Sequence, residues 1–131
     1  MGTTLIMKYF TRKLIQPTDL NSRGTLFGGQ LLKWIDEEAA IFAICQLSRP
    51  EETHPPLIVT KLISEVNFLQ PVFNGDIIEI GCELKEFGRT SITIGCVVRN
   101  KRTRDMIVKI ENMVFVMVDS EGKPKVHGFS K

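Results

Sequence analysis

Residues 21–49 read NSRGTLFGGQLLKWIDEEAAIFAICQLSR, and this stretch decides how the rest of the chain is arranged. It begins as a loop punctuated by glycines and continues as one predicted helix from about Gly28 to Leu47. Residues 39–45 within that helix are all small or apolar. Because a helix that is apolar on every side is a buried helix, the sequence predicts that this segment lies at the centre of the fold.

Asp36 is the residue of this helix that needs a separate explanation. At about 100° per residue it shares one face with four small or apolar residues, Gly29, Leu32, Ala40 and Ala43. Burial of an unpaired carboxylate is unfavourable, so we interpret Asp36 and the glycine-rich helix start as an active site. The alternative is that Asp36 points into solvent with Glu37 and Glu38, because acids early in a helix favour its dipole.

The length and composition are those of one globular domain, predicted to span residues 1–131. Hydrophobic residues make up 43% of the chain and charged residues 24%, which is typical of soluble proteins. A formal charge of +2 gives no strong electrostatic field, so nucleic acid is not expected as a partner. No apolar run approaches the roughly 18 residues of a membrane span.

The N-terminus and the cysteines favour a cytoplasmic location. The opening MGTTLIMKYF lacks the charged and long apolar regions of a secretory signal. Cys45, Cys82 and Cys96 are odd in number, and each lies in an apolar run, which predicts reduced cysteines in the core. Neither His54 nor His127 has a cysteine or carboxylate at metal-ligand spacing, so we expect no metal site.

The remainder of the chain has the alternation of β-strands. A first strand is predicted at residues 8–15, and four more at 57–68, 77–87, 92–98 and 106–118. The last four are joined by short turns, which favour an antiparallel meander because parallel neighbours need long crossovers. We therefore predict an α+β fold, with a five-stranded antiparallel sheet wrapped around the one long helix.

The outer face of this sheet is predicted to be partly apolar. We place five large apolar side chains on it, namely Ile63, Leu69, Met113, Phe115 and Met117. An exposed apolar patch of that kind usually marks an interface. The final residues, 121–131, have no such pattern and are predicted to be mobile.

Three segments of the chain resemble those of a known family. They are PTDLNSRGTLFGGQLLKWIDEEAA (17–40), VTKLISEVNFLQPVFNGD (59–76) and FGRTSI (87–92). In their order and spacing they resemble the hotdog-fold acyl-CoA thioesterases, specifically the bacterial YciA-like enzymes and the cytosolic acyl-CoA hydrolases. The most specific part is the loop Asn-x-x-Gly-x-x-(Phe or His)-Gly-Gly, followed seven residues later by aspartate.

This resemblance implies a hotdog fold and hydrolysis of acyl-CoA to a free acid and CoA. CoA would enter as part of the substrate, with no cofactor. The family's catalytic acid corresponds to Asp36 and its loop asparagine to Asn21, contributed by opposite subunits of a homodimer. A hexamer built from three dimers is also implied.

The resemblance further implies a set of residues that contact the substrate or CoA. They are Phe27, Thr60, Phe68 and the turn Gly88, Arg89, Thr90 and Ser91. Lys61 and Leu62 replace smaller residues of the family pattern, so the acyl-chain length that the pocket accepts stays open.

Each of these residues has an ordinary structural alternative. The backbone N–H groups of Gly28 and Gly29 suit an oxyanion or polarised carbonyl, whereas their lack of side chains also permits a tight chain entry. Asn21 would orient water or substrate, or would simply cap a turn. The hydroxyls and cation at residues 89–91 suit phosphate or pantetheine groups, or form an ordinary polar hairpin.

The basic stretch RNKRTRD has the same two interpretations. Arg99, Lys101, Arg102 and Arg104 would meet the phosphates of CoA, or would form a solvated hairpin tip.

Three functions remain distinguishable at this point. The first is thioester hydrolysis, in which Asp36 acts as general base or as nucleophile. The second is a non-catalytic acyl-CoA sensor, against which a charge at position 36 argues. The third is a dehydratase, which normally pairs a histidine with the acid, and no histidine lies on this helix.

Overall fold

A computed structural model of the protein describes residues 7–130. Residues 1–6, to which the prediction for the N-terminus mostly refers, and Lys131, the last residue of the segment predicted to be mobile, lie outside the described part. The elements in chain order are β1 (Lys8–Leu14), a 3-10 turn (Pro17–Asp19), α1 (Gly28–Leu47), β2 (Leu57–Ile63), β3 (Asn67–Phe68), β4 (Ile77–Phe87), β5 (Ser91–Asn100) and β6 (Met106–Val118). The predicted bounds of the helix are confirmed.

The strands form one antiparallel sheet in the order β1-β4-β5-β6-β2, and the two-residue β3 also pairs with β6. The predicted meander of four strands is therefore wrong in one respect. Only β4, β5 and β6 follow one another in space, whereas β2 lies at the far edge beside β6. Strand β1 forms the opposite edge, beside β4.

The sheet has six strands instead of five because the predicted strand 57–68 is interrupted. Ser64 leaves the ladder and makes two hydrogen bonds to Asn112: its N–H donates to the Asn112 carbonyl at 2.9 Å, and its Oγ accepts the Asn112 N–H at 3.1 Å. Pairing with β6 resumes at Asn67, opposite Lys109. The predicted strand is thus divided into β2 and β3 where the Ser64 side chain, in place of its carbonyl, accepts a hydrogen bond from the β6 backbone.

A β-bulge in β6 reverses which of its side chains face the core. Ile94 of β5 pairs with Met113 of β6, and Cys96 of β5 pairs with Ile110 of β6. Two steps along β5 therefore correspond to three steps along β6. One extra residue shifts the two-residue alternation, so side chains beyond the bulge change faces. The prediction that Met113, Phe115 and Met117 lie on the outer face is therefore wrong, because all three are in the core.

Helix α1 packs on the sheet through one ridge of fully buried side chains. The ridge repeats every four residues, as Leu31, Ile35, Ala39, Ala43 and Leu47. The opposite ridge is open, since Ile41 is 54% exposed and Cys45 is also exposed. The prediction that the helix is enclosed on most sides is thus wrong for a single copy of the chain, because the sheet covers only one face of the helix.

The cysteines divide in the same way. Cys82 and Cys96 are buried opposite each other on β4 and β5, with their sulfur atoms 3.5 Å apart and reduced. The hydrogen bond between these thiols, together with burial, raises the pKa of Cys96 above its ordinary value. Cys45 was predicted in the core and is on the surface. No helix in the described part of the chain is long and apolar enough to cross a membrane.

The C-terminal segment is attached to the sheet, which runs against the expectation that it is mobile. After a turn at residues 119–123, the Lys125 N–H donates to the Met117 carbonyl at 2.8 Å. Two residues further on, the His127 N–H donates to the Arg89 carbonyl at 3.2 Å. We call residues 123–129 the C-terminal strap.

Substitution of Phe115 tests whether the bulge places this side chain on the core face of β6. Phe115 is 1% exposed, so Phe115→Ala should lower the free energy of unfolding by about 3–5 kcal/mol through lost packing and a residual cavity. Val114, its half-buried neighbour on the other face, is the control, and Val114→Ala should cost only about 1 kcal/mol. Urea denaturation at one fixed protein concentration measures both. Equal losses would contradict the assigned faces.

Candidate active site

The loop that enters α1 is organised around Asn21. Its Oδ1 accepts the N–H groups of Arg23 and Thr25 at 2.9 and 3.2 Å. Its Nδ2 donates to the Thr25 hydroxyl at 3.0 Å. The chain reverses here through Gly24, whose φ of 82° is in the left-handed region that favours glycine. The structure thus shows Asn21 capping its own turn, the structural alternative considered above.

The same loop is fixed to the rest of the fold on both sides. The Leu26 N–H donates to the Val72 carbonyl at 2.7 Å, and the Phe27 N–H donates to the Asp19 carbonyl at 2.9 Å. Asp19 also accepts a hydrogen bond from the Gln30 side chain at 3.1 Å. The first turn of α1 is consequently held in a defined position.

This first turn has no side-chain cap. The N-cap residue is Phe27, which has no oxygen to accept the N–H groups of the helix start. A Cβ on Gly28 would meet the Phe68 ring at 3.6 Å, an ordinary contact, and one on Gly29 would meet only the Phe27 ring, at 2.7 Å. Gly28 has room for a Cβ, so tight chain entry does not explain this glycine, whereas a Cβ on Gly29 would require the Phe27 ring to move. The N–H groups of both glycines are available to an acceptor.

A cleft of about 280 Å³ opens beside this helix start. Its walls include Gly28, Leu31, Phe68 and Leu69, and Phe68 and Leu69 are both about half exposed. The cleft therefore brings together Gly28, a predicted catalytic residue, and Phe68, a predicted substrate contact. Asp36 does not line this cleft, because it lies two turns further along α1.

Asp36 is half-buried on the side of α1 that faces the edge strand β2. The hydroxyl of Thr60 donates to Asp36 Oδ1 at 3.1 Å. Within residues 7–130, Oδ2 has no hydrogen bond. The predicted residues Asp36 and Thr60 are thus paired, with one carboxylate oxygen held and the other open. Glu37, the next residue, is exposed and lies on the open ridge of α1 with Ile41 and Cys45.

The turn Gly88–Ser91 lies elsewhere in the chain, between β4 and β5. The Gly88 N–H donates to the Ser91 carbonyl at 2.9 Å, and the Met117 N–H donates to the Thr90 carbonyl at 2.7 Å. Among the described residues no hydrogen bond joins this turn, or Asn21, to Asp36. The predicted site residues of one chain therefore form three groups instead of one constellation.

Two of the four cations in the basic stretch, Arg99 and Arg104, pair with a buried acid. Glu79 is 2% exposed, and its carboxylate forms ion pairs with Arg99 at 2.6 Å, Arg104 at 3.6 Å and Arg12 at 3.9 Å. Burial raises the pKa of the adjacent Tyr9 hydroxyl. The sequence pattern did not reveal that Glu79 is buried, because the arginines that cover it are distant in sequence.

One further groove contains none of the predicted site residues. A groove of about 580 Å³ lies between α1 and β1, with Phe10, Ile41 and Phe42 among its walls. Within residues 7–130, no three His, Cys, Asp or Glu side chains are placed to hold a metal ion.

Comparison with known proteins gives a consistent result. A family model described as the Thioesterase superfamily matches residues 23–107. The acyl-CoA thioester hydrolase YciA of Escherichia coli is 32% identical over 120 residues, which cover 87% of this chain and 86% of that protein.

Solved structures agree in fold. An acyl-CoA hydrolase variant from Staphylococcus aureus has a TM-score of 0.77 at 29% identity, covering 92% of this chain and 71% of that one. A hexameric thioesterase from Yersinia pestis also has a TM-score of 0.77, at 30% identity, covering 94% and 97%. Together with the family match, these confirm the predicted hotdog fold.

The open helix start predicts an unusual response to substitution. Because Gly28 has an ordinary helical φ and room for a Cβ, Gly28→Ala should raise the free energy of unfolding by about 0.5–1 kcal/mol. Gly29→Ala is the comparison, since its Cβ must displace the Phe27 ring and should gain less. Thermal and urea denaturation measure both variants. A destabilised Gly28→Ala would restore the view that the glycine is needed for chain entry.

Proposed function

The chain belongs to the thioesterase superfamily, and we propose that it hydrolyses acyl-CoA to a carboxylic acid and CoA. The observation that carries this proposal is the pair Asp36–Thr60. Thr60 donates to Oδ1 and leaves Oδ2 open, which suits a carboxylate that must accept a proton from water. Asp36 would act as general base, and attack by the carboxylate itself is the variant mechanism.

A thioester suits a site with so few titratable groups. The leaving thiolate has a conjugate acid with a pKa of roughly 8.5, by analogy with cysteine, so it departs without an acid catalyst. One base for water and one group to stabilise the carbonyl oxygen are then sufficient. A dehydratase would also need a second proton-transfer group, and neither His54 nor His127 contacts Asp36.

The first turn of α1 would stabilise the carbonyl oxygen. The N–H groups of Gly28 and Gly29 have no capping side chain, and the helix dipole adds partial positive charge there. Removal of one such donor costs about 3 kcal/mol of transition-state stabilisation in known enzymes with an oxyanion hole. Phe27 and Phe68, which flank these glycines, would contact the acyl or pantetheine part of the substrate.

The Staphylococcus aureus enzyme supports both the substrate class and the residues. Its structures include a complex with butyryl-CoA and CoA, and variants with an aspartate, an asparagine or a threonine changed to alanine. The altered asparagine and aspartate of that enzyme are fifteen positions apart, as Asn21 and Asp36 are here. We propose that Asn21 and Asp36 correspond to that pair, and that Thr60 belongs to the same site through its hydrogen bond to Asp36.

A second copy of the chain would bring these groups together. Among residues 7–130, strand β2 pairs only with β6, and its other edge is open. Val59, Leu62 and Ile63 on this strand are exposed, and an open apolar edge favours pairing with another strand. We propose that two chains pair there and that Asn21 of one chain completes the site of Asp36 in the other. Hexamers among the related structures fit a larger assembly of such dimers.

The turn Gly88–Ser91 would bind the CoA part of the substrate. Arg89 is exposed there and offers a cation to a phosphate, next to the hydroxyls of Thr90 and Ser91. Lys101 and Arg102 are less suited to this role, because they belong to a separate hairpin tip.

The direct test is release of CoA thiol from acyl-CoA substrates of several chain lengths. Asp36→Ala should lower kcat by about a hundredfold or more, since a positioned base contributes about 10²–10⁴-fold. Glu37→Gln is the matched control, because Glu37 is the neighbouring acid on the exposed ridge, and its activity should equal that of the wild type. Both variants are first checked for unchanged folding and assembly.

Wild-type turnover that survives Asp36→Ala would remove Asp36 from the mechanism. Tight binding of acyl-CoA by the wild type without thiol release would overturn hydrolysis and favour the sensor.

A further inference from the structure

His127 in the C-terminal strap is a buried polar residue that the proposed mechanism does not use. It is 5% exposed, although it lies four residues from the end of the chain. Its ring lies near the rings of Phe87 and Phe129, with centroids 5.4 and 5.8 Å away. A buried imidazole is unfavourable unless its nitrogens are hydrogen-bonded, so its partners indicate its role.

Both ring nitrogens of His127 are satisfied, and the pattern fixes the tautomer. The Phe129 N–H donates to Nδ1 at 2.9 Å, so Nδ1 is the unprotonated nitrogen. Nε2 therefore carries the proton and donates to the carbonyl of Ser91 at 2.8 Å. The backbone N–H of His127 donates to the carbonyl of Arg89 at 3.2 Å.

One residue thus holds two carbonyls of the turn Gly88–Ser91. The carbonyl of Thr90, between them, accepts the N–H of Met117 in β6. The strap is bonded to this same residue, because the Lys125 N–H donates to the Met117 carbonyl. Gly88 and Arg89 are themselves exposed, and exposed turns with few contacts are the mobile ones in proteins. The strap therefore supplies much of the order of this turn.

The strap is in turn anchored to the end of α1. Arg49, two residues beyond the helix, donates through Nη2 to the His127 carbonyl at 2.7 Å. Its guanidinium group lies 4.1 Å from the centroid of the Phe129 ring. The position of the turn is consequently coupled to the helix that carries Asp36.

We propose that His127 is a positioning residue for CoA binding. It fixes the carbonyls on either side of Thr90, and thereby the Arg89 cation and the hydroxyls of Thr90 and Ser91 that would bind CoA. The inference rests on the proposed function, in which this turn binds CoA. A fixed turn binds its ligand without a further loss of conformational entropy. Loss of the constraint should therefore weaken CoA binding and leave the chemical step unchanged.

The test measures the Kd of CoA by isothermal titration calorimetry, together with kcat and KM for butyryl-CoA. His127→Phe keeps an aromatic ring against Phe87 but removes both hydrogen bonds. It should raise Kd and KM by about tenfold, with kcat within about twofold of the wild type. His127→Gln can still donate to the Ser91 carbonyl and should recover most of the affinity. Val126→Ala, an exposed change in the same strap, should bind as the wild type does.

Arg49→Met covers the case in which His127→Phe does not fold. It releases the strap from α1 without changing the imidazole and should weaken CoA binding in the same direction. Unchanged Kd in the folded variants, or a loss of kcat at constant KM, would overturn the inference. Failure of His127→Gln to recover affinity would also overturn it.

The outcomes separate this inference from the proposed function. Wild-type protein that binds CoA but releases no thiol would overturn hydrolysis, and the Kd values of the variants would still decide the role of His127. Wild-type protein that does not bind CoA would overturn both.

Discussion

The packing of one ridge of α1, from Leu31 to Leu47, against a single face of the sheet is the interaction on which the rest of the structure depends. Because this ridge is fully buried, the rotation of the helix about its axis is fixed. One flank then faces β2, and Asp36 meets Thr60 there. The acid consequently lies at the rim of the core, where it is shielded on one side and remains accessible to water and substrate on the other.

The same helix links the two halves of the proposed site. Its first turn presents the uncapped N–H groups of Gly28 and Gly29, and its far end leads to Arg49, which holds the strap over the turn at Arg89. The reacting carbonyl and the CoA moiety would thus be positioned by opposite ends of one rigid element. In the proposed site, the second chain pairs along the open β2 edge and supplies its Asn21 to the Asp36 of the first.

Local patterns in the sequence predicted the bounds of α1, β4 and β6, because these depend on neighbouring residues. The face of β6 was not predictable in this way, since one bulge between Ile110 and Met113 reverses the alternation. The place of β2 at the far edge depends on pairing with β6, which is remote in sequence. Glu79 and His127 were missed for the same reason, because their partners come from other strands and loops. The resemblance implied a catalytic role for Asp36 and a substrate contact for Thr60, and the structure joins the two by a hydrogen bond.

A mixed-assembly experiment tests the shared site most directly. Subunits carrying Asp36→Ala and subunits carrying Asn21→Ala are each purified, dissociated, mixed and reassembled, and thiol release from butyryl-CoA is measured. If Asn21 of one chain serves Asp36 of the other, each mixed dimer contains one intact site, and the mixture regains activity that neither parent has. A mixture no more active than its parents, with mixed dimers shown by mass spectrometry, would contradict a site shared between chains.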